Sequence, residues 1–292
     1  MNTQINTHLL MSGVDYFDDG QAINPFMDET IPVNIERARA EHTAVRMAFE
    51  AAGIEITQIA PPRDCQDGIY TANWALVRGN KAVLARLPNA RKGEEDYAEA
   101  HLDKLGLSVM RVPGDLRFSG QGDALACGDY LFCGSVYRSD VEAQEFVADA
   151  LGYERIQLQT VPLLDDTGEQ VINSFSGWPD SFYYDIDLAL SIIRPPRGDQ
   201  KGLIAYCPEA FVPESRQILE AFDGVDKITV SREEAVNAFA CNLVSTGDHV
   251  IMNDNAPGLK AALMQHGLSV TTLHNPEIGK GGGSIRCVSL AL

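Results

Sequence analysis

The C-terminal stretch, residues 279–292, reads G-K-G-G-G-S-I-R-C-V-S-L-A-L. Three successive glycines, Gly281, Gly282 and Gly283, leave the backbone free to take positive φ and to lie close to a ligand. An apolar strand over 288–292 follows, and Cys287 stands where loop meets strand. Nucleophiles are often held at such junctions, with a rigid element behind and open backbone in front. A free cysteine is equally often a small buried hydrophobe, so the stretch alone leaves both roles open. What decides the fold is that its layout, a loop, a polar residue and a short strand, recurs upstream.

The recurring unit is a helix stopped by glycine, a strand, a loop, then a polar residue opening a second strand that turns back into a third. The first copy has a helix over 34–52 with Asn34 as N-cap, Gly53, a strand over 54–59, and then I-Y-T-A-N-W-A-L-V, R-G-N and K-A-V-L-A. The second has a helix over 94–105, Gly106 and a strand over 107–112, with Asp123 opening the next strand. The third has Ser139 capping a helix to Leu151, then a strand over 156–161 and Y-D-I-D-L-A-L-S-I-I. The fourth has a helix over 213–222, a strand over 227–230 and A-C-N-L-V-S. The fifth has a helix over 259–266, Gly267, a strand over 268–273 and the glycine loop. Its third strand is missing, and the N-terminal apolar run 8–14 is expected to supply it and close a ring.

Equivalent polar positions are Asn73, Asp123, Asp187, Asn242 and Cys287, spaced by 50, 64, 55 and 45 residues on subtraction. Five units of this period point to a propeller-like, pseudo-cyclic α/β architecture rather than a Rossmann sheet. Such a ring directs the first polar residue of each unit toward a common axis.

The 292 residues, 45% of them hydrophobic, suffice for a large core. They contain no run of about eighteen apolar residues that would cross a membrane, nor a basic-then-apolar leader pattern. Six cysteines lack any paired-ligand spacing, which fits a reducing cytoplasm better than a disulfide framework and gives no metal signature. A net charge of −18 disfavours nucleic acid and anionic membranes as partners and is compatible with a small cationic substrate. The loop S-G-Q-G-D lacks the lysine and the context of a phosphate loop, so no nucleotide cofactor is expected.

Asp185 and Asp187, one residue apart in a strand-like run, are expected on one face. Paired carboxylates raise one another's pKa and suit acid–base work, or hold a cation. A solvent-facing pair is the plain alternative, but the flanking Phe182, Tyr183, Tyr184 and Ile186 favour burial. Asp67 and Asn73 bracket another strand start, and Asp123 ends a glycine-rich loop. Singly these are turn residues; their recurrence in equivalent units points to a shared site. Arg91 and Arg138 precede helices and could hold a substrate carboxylate bidentately.

These motifs resemble the guanidino-group-modifying superfamily, the pentein fold of arginine deiminases, arginine dihydrolases, dimethylarginine dimethylaminohydrolases and amidinotransferases. The resemblance rests on I-N-P-F-M, D-G-I-Y-T-A-N-W-A-L-V, F-S-G-Q-G-D-A-L, Y-R-S-D-V-E-A, F-Y-Y-D-I-D-L-A-L, Y-C-P-E-A-F, F-A-C-N-L-V and, most specifically, G-G-G-S-I-R-C. It spans nearly the whole chain and implies a single domain over 1–292, five ββαβ units around a central site. It further implies Cys287 as nucleophile and Asp67 and Asn73 beside the guanidinium, the asparagine looking most like the arginine dihydrolase group. Arg91 and Arg138 fall near substrate-carboxylate positions, and Asp187 on the acidic residue of the family's His-x-Asp strand. No cofactor is implied; a homo-oligomer is compatible with it.

Two departures stand out. The family's catalytic histidine falls on Asp185, and its guanidinium-binding glutamate on Ser119; none of the six histidines lies at a family catalytic position. The expectation is a cysteine-dependent hydrolase of linear amidines in which Asp185, its pKa raised by Asp187, serves as acid and base. A non-catalytic relative that binds a guanidino ligand and an amidinotransferase are the alternatives.

Overall fold

The computed structural model describes residues 4–292. In chain order the elements are β1 (His8–Ser12), α1 (Ile35–Ala51), β2 (Glu55–Ile59), β3 (Ala75–Arg78), β4 (Lys81–Leu84), α2 (Lys92–Lys104) and β5 (Ser108–Arg111). There follow β6 (Ala124–Cys127), β7 (Tyr130–Cys133), α3 (Val141–Leu151), β8 (Glu154–Gln157), β9 (Leu190–Arg194), β10 (Gly202–Tyr206), α4 (Pro213–Ala221) and β11 (Val225–Thr229). The last unit and its neighbour comprise α5 (Arg232–Asn237), β12 (Val244–Ser245), β13 (His249–Asn253), α6 (Pro257–Gln265), β14 (Ser269–Leu273), α7 (Pro276–Gly279) and β15 (Leu290–Ala291).

The strands form five three-stranded sheets of one plan. In each, the middle strand pairs antiparallel with the first strand and parallel with the third. A parallel neighbour needs a crossover, and α2, α3, α4 and α6 supply it. The fifth sheet, β15–β1–β2, takes its middle strand from the other end of the chain. Leu9 and Leu10 pair with Ala291 and Leu290, while β1 runs parallel to β2 in register His8 with Glu55. The N-terminal strand therefore closes the pseudo-fivefold ring, as expected from the repeat.

Local sequence explains the helices. Asn34 Oδ1 accepts the Arg37 N–H at 3.1 Å to start α1, whose buried face is Ala38, His42, Val45 and Phe49. The α3 helix is capped from Asp140, whose side chain makes no cap bond, and not from Ser139. Ser139 Oγ instead accepts the Ser119 N–H, so its hydroxyl ties two units together. The third-unit strand is also earlier than expected, at Glu154–Gln157, because β7 fixes its register through Tyr130 opposite Glu154.

The polar positions do not open strands. Asn73 and Asp187 lie within 3-10 turns, Thr71–Trp74 and Ile186–Leu188, and Asp123 directly follows one, Gly120–Gly122. Asn242 and Cys287 lie in turns shortly before β12 and β15. A strand would send alternate side chains to opposite faces. The tight turn instead swings the chain inward just before each sheet, so that one polar side chain per unit meets the axis. Asp185 and Asp187 thus share the centre of the ring without sharing a strand face.

Candidate active site

The loop that carries Cys287 is built by side chains from four different units. Asn242 Oδ1 accepts the N–H groups of Ser284 (3.0 Å), Arg286 (3.1 Å) and Cys287 (3.2 Å), so one amide oxygen folds the whole turn. Asn24 Nδ2 donates to Gly281 O, Tyr70 OH to Ile278 O and Tyr184 OH to Gly282 O. Gly282 sits at φ +90, which a side chain would strain. A Cβ on Gly283 would stand 2.8 Å from Cys287 Sγ, so no side chain fits beside the sulfur.

Cys287 Sγ accepts a hydrogen bond from Asn242 Nδ2 at 3.1 Å, and the thiol donates to Asp187 Oδ2 at 3.4 Å. On the other side of the sulfur lies a cavity of about 20 Å³, room for roughly one water. Its lining includes Asp67, Asn73, Ser119, Arg138, Asp185 and Cys287. Asn73 is the hub of this wall. Its Nδ2 donates to Asp185 Oδ2 (2.7 Å) and Ser119 Oγ (2.9 Å), and its Oδ1 accepts from Arg91 Nη1 (3.0 Å).

Arg91 reaches the cavity wall with all but one of its N–H groups committed. They go to both oxygens of the buried Glu94, to Asn73, and to the carbonyls of Asp67 and Tyr70. Arg91 thus mainly orients Asn73 and the Asp67–Tyr70 turn, which leaves one Nη1 N–H for the expected contact with a substrate carboxylate. Asp123 departs from its expected place. It does not line the cavity; its Oδ1 accepts the Ile186 N–H and so places the Asp185–Asp187 turn. Arg138 remains at the cavity, donating to Ile23 O at 2.6 Å, 3.6 Å from Asp180 and stacked over Tyr184.

Burial dominates the electrostatics. It pushes the Asp67 carboxyl up to about 7, against the opposing pull of Arg91. Burial also raises Asp185 and Asp187, but unequally in cause. Ser119, Arg138 and Asn73 all stabilise the Asp185 carboxylate, whereas Asp187 is raised further by the charge of Asp185. The expected influence thus runs the other way: Asp185 raises Asp187, and Asp185 is the member of the pair better supported as an anion. Burial, then Asp187 and Asp185, hold the Cys287 thiol well above the ordinary range, with Asn242 and the Ser284 N–H opposing. These neighbours keep the proton on the sulfur. A cation in the cavity would reverse that balance.

Residues missed from sequence are Asn24, Tyr70, Tyr184 and the role of Asn242. Asn242 had a signal, its place in the repeat; Tyr70 and Tyr184 had none beyond proximity to Asp67 and Asp185. No group of three or more His, Cys, Asp or Glu among the described residues could hold a metal ion, and no helix among them is long and apolar enough to cross a membrane.

Five blades of one topology around a polar axis bearing a cysteine define the pentein class of guanidino-group-modifying proteins. Residues 17–170 match the family described as N,N dimethylarginine dimethylhydrolase, eukaryotic, and the chain belongs to that family. The bifunctional arginine dihydrolase/ornithine cyclodeaminase ArgZ of Synechocystis is 31% identical over 287 residues, which cover 97% of this chain and 37% of that protein. The chain thus spans little more than a third of that relative. The N(G),N(G)-dimethylarginine dimethylaminohydrolase of Mycobacterium tuberculosis is 29% identical over 279 residues, 95% of this chain and 83% of its own. The substrate-bound crystal structure of the ArgZ N-terminal domain, an arginine dihydrolase, matches with a TM-score of 0.83 at 28% identity, covering 97% of each chain.

Proposed function

We propose that the chain is a cysteine-dependent hydrolase of an arginine-like or N-substituted guanidino compound, with Cys287 as nucleophile and Asp185 in the place of the family histidine. The observation that carries this reading is the seat of Cys287 Sγ: it faces a cavity whose wall holds Asp67 and Asp185, and Asn242 Nδ2 donates to it. Two buried carboxylates there favour a cation over a neutral ligand.

With a guanidinium bound, the local charge that keeps the thiol protonated is offset. The thiol proton passes to Asp187, which already accepts it, the sulfur attacks the amidine carbon, and a carbon–sulfur bond forms. Asp185, on the cavity wall, relays that proton from Asp187 to the leaving nitrogen as the carbon–nitrogen bond breaks, releasing an amine and leaving a thiouronium. Water, deprotonated by Asp185, then attacks the same carbon. The carbon–sulfur bond breaks, the urea-type product leaves and Cys287 recovers its proton. Asn73 and Ser119 position Asp185, and Arg138 stands at the outer wall of the cavity for the anionic end of the substrate. Ammonia or alkylamine release across a panel of guanidino compounds tests this. Release is expected from at least one compound and should be abolished in Cys287→Ala; an unchanged rate in that variant overturns the proposal.

One observation favours a binding-only reading. Asn73 Nδ2, which faces the cavity, is already held by Asp185 and Ser119, the two residues that replace the family's histidine and glutamate. A haloamidine separates the readings: an activated Cys287 reacts well ahead of the other five thiols, and a non-catalytic site shows no such preference.

A further inference from the structure

A second cavity lies on the far side of the cysteine loop. It is a cleft of about 300 Å³ lined by Phe26, Phe239, Asn253, Asp254, Asn275 and Lys280 among others. We propose that this cleft binds a small organic cation bearing an ammonium or guanidinium group, and that its occupant sets the geometry of the Cys287 thiol.

The chemistry of the walls selects the ligand. Phe26 and Phe239 line the cleft with their rings tilted at 45° and 4.7 Å between centroids, an aromatic wall of the kind that attracts a cation. Asp254 supplies a carboxylate, shared with His274 at 3.0 Å. The buried Asn275 lines the cleft and its Oδ1 has no hydrogen-bond partner, an acceptor that a ligand's donor reaches once the side chain shifts. The one ammonium on the wall, that of Lys280, is tied to Glu277 Oε2 at 2.7 Å and Pro32 O at 3.0 Å, away from competition for these acceptors.

Two hydrogen-bonded routes run from the cleft to the sulfur. In the first, Phe239 holds a left-handed φ of +48, a strained state for a bulky residue, and its carbonyl accepts the Asn242 N–H at 2.8 Å. Asn242 Nδ2 donates to Cys287 Sγ. In the second, Asn275 Nδ2 and Ser284 Oγ both donate to Asn253 Oδ1, at 2.9 and 2.8 Å, and the Ser284 N–H returns to Asn242 Oδ1. Both routes end on Asn242, so a ligand that moves Phe239 or Asn275 acts on the residue that shapes the nucleophile turn. The catalytic consequence rests on the cysteine-hydrolase reading; binding in the cleft does not.

The test uses the full chain with the Cys287 position blocked by a haloamidine adduct, titrated calorimetrically with L-arginine. One molecule should bind per chain, with affinity falling at least tenfold in both Asp254→Asn and Phe239→Gly; the glycine accepts the positive φ and so keeps the turn. Amide exchange across residues 284–287 should slow on binding in the parent and not in these variants. No binding, or binding untouched by both substitutions, overturns the proposal, as does binding with unaltered exchange. If Cys287 resists the haloamidine, the hydrolase reading falls on that result alone, and the same titration on Cys287→Met still decides the cleft.

Discussion

The Cys287 thiol donates to Asp187 Oδ2 across 3.4 Å, so the sulfur rests against a carboxyl group that opposes its ionisation. Burial first, then Asp187 and Asp185, raise the thiol pKa and disfavour the thiolate. Alkylation by the neutral reagent iodoacetamide should therefore be slow at pH 7 and should climb only above the range of an ordinary thiol. Because burial and Asp185 raise Asp187 itself, its opposing charge develops only as pH rises; in Asp187→Asn, which cannot ionise, alkylation should climb at lower pH than in the parent, about tenfold faster for each pKa unit. A rate within twofold of the parent would contradict this electrostatic account.

Asn242 holds three N–H groups and the sulfur from one amide. Asn242→Ala should leave those buried donors unpaired at about 1–3 kcal/mol each. The expected loss is on the order of 3 kcal/mol by urea unfolding. Asn242→Asp, which keeps the acceptor, should recover part of it while raising the thiol pKa through its charge.

Glu94 is fully buried, pairs with Arg91 and accepts from Trp74 Nε1 at 2.9 Å. Glu94→Ala would strand the Arg91 guanidinium. Roughly 3–5 kcal/mol of stability should be lost, the usual effect of breaking a buried pair from one side. A double variant that also replaces Arg91 with Met should cost less than Glu94→Ala alone, because no unpaired charge remains.

Asp67 carries a carboxyl pushed up to about 7 from an ordinary 3.8. Below pH 7 it is neutral, so affinity for a guanidinium ligand should rise as pH increases through 7, and Asp67→Asn should flatten that profile. Stability has the opposite sign. The folded state retains a proton that the unfolded chain has lost, so the Asp67 contribution is fully present below about 4 and declines as pH climbs to 7 and beyond. Urea unfolding at pH 5 and pH 8 should show a smaller difference in Asp67→Asn than in the parent.

The ring was legible because each helix, strand and stop is written in local sequence, and because the apolar run at 8–14 had no other partner than the missing strand beside β15. The inward turns were not. Periodicity distinguishes helix from strand but carries little sign of a three-residue 3-10 turn, which is why Asp185 and Asp187 read as strand-face neighbours. Arg91 and Asp123 show the same limit from another side. Sequence places a charged residue near a site, yet whether it faces a ligand depends on partners such as Glu94 and Ile186, which only the packed chain assigns. Asn242 shows the converse: its position in the repeat marked it, while the three N–H groups it gathers became visible only in the folded loop.

The most direct measurement is peptide mapping by mass spectrometry after acid quenching of the protein during incubation with the guanidino compound from which it releases amine. A thiouronium adduct on the Cys287 peptide, absent from Cys287→Ser and from the peptides of the other five cysteines, is the expected result. Amine release with Cys287 unmodified, and retained in Cys287→Ser, would contradict the account.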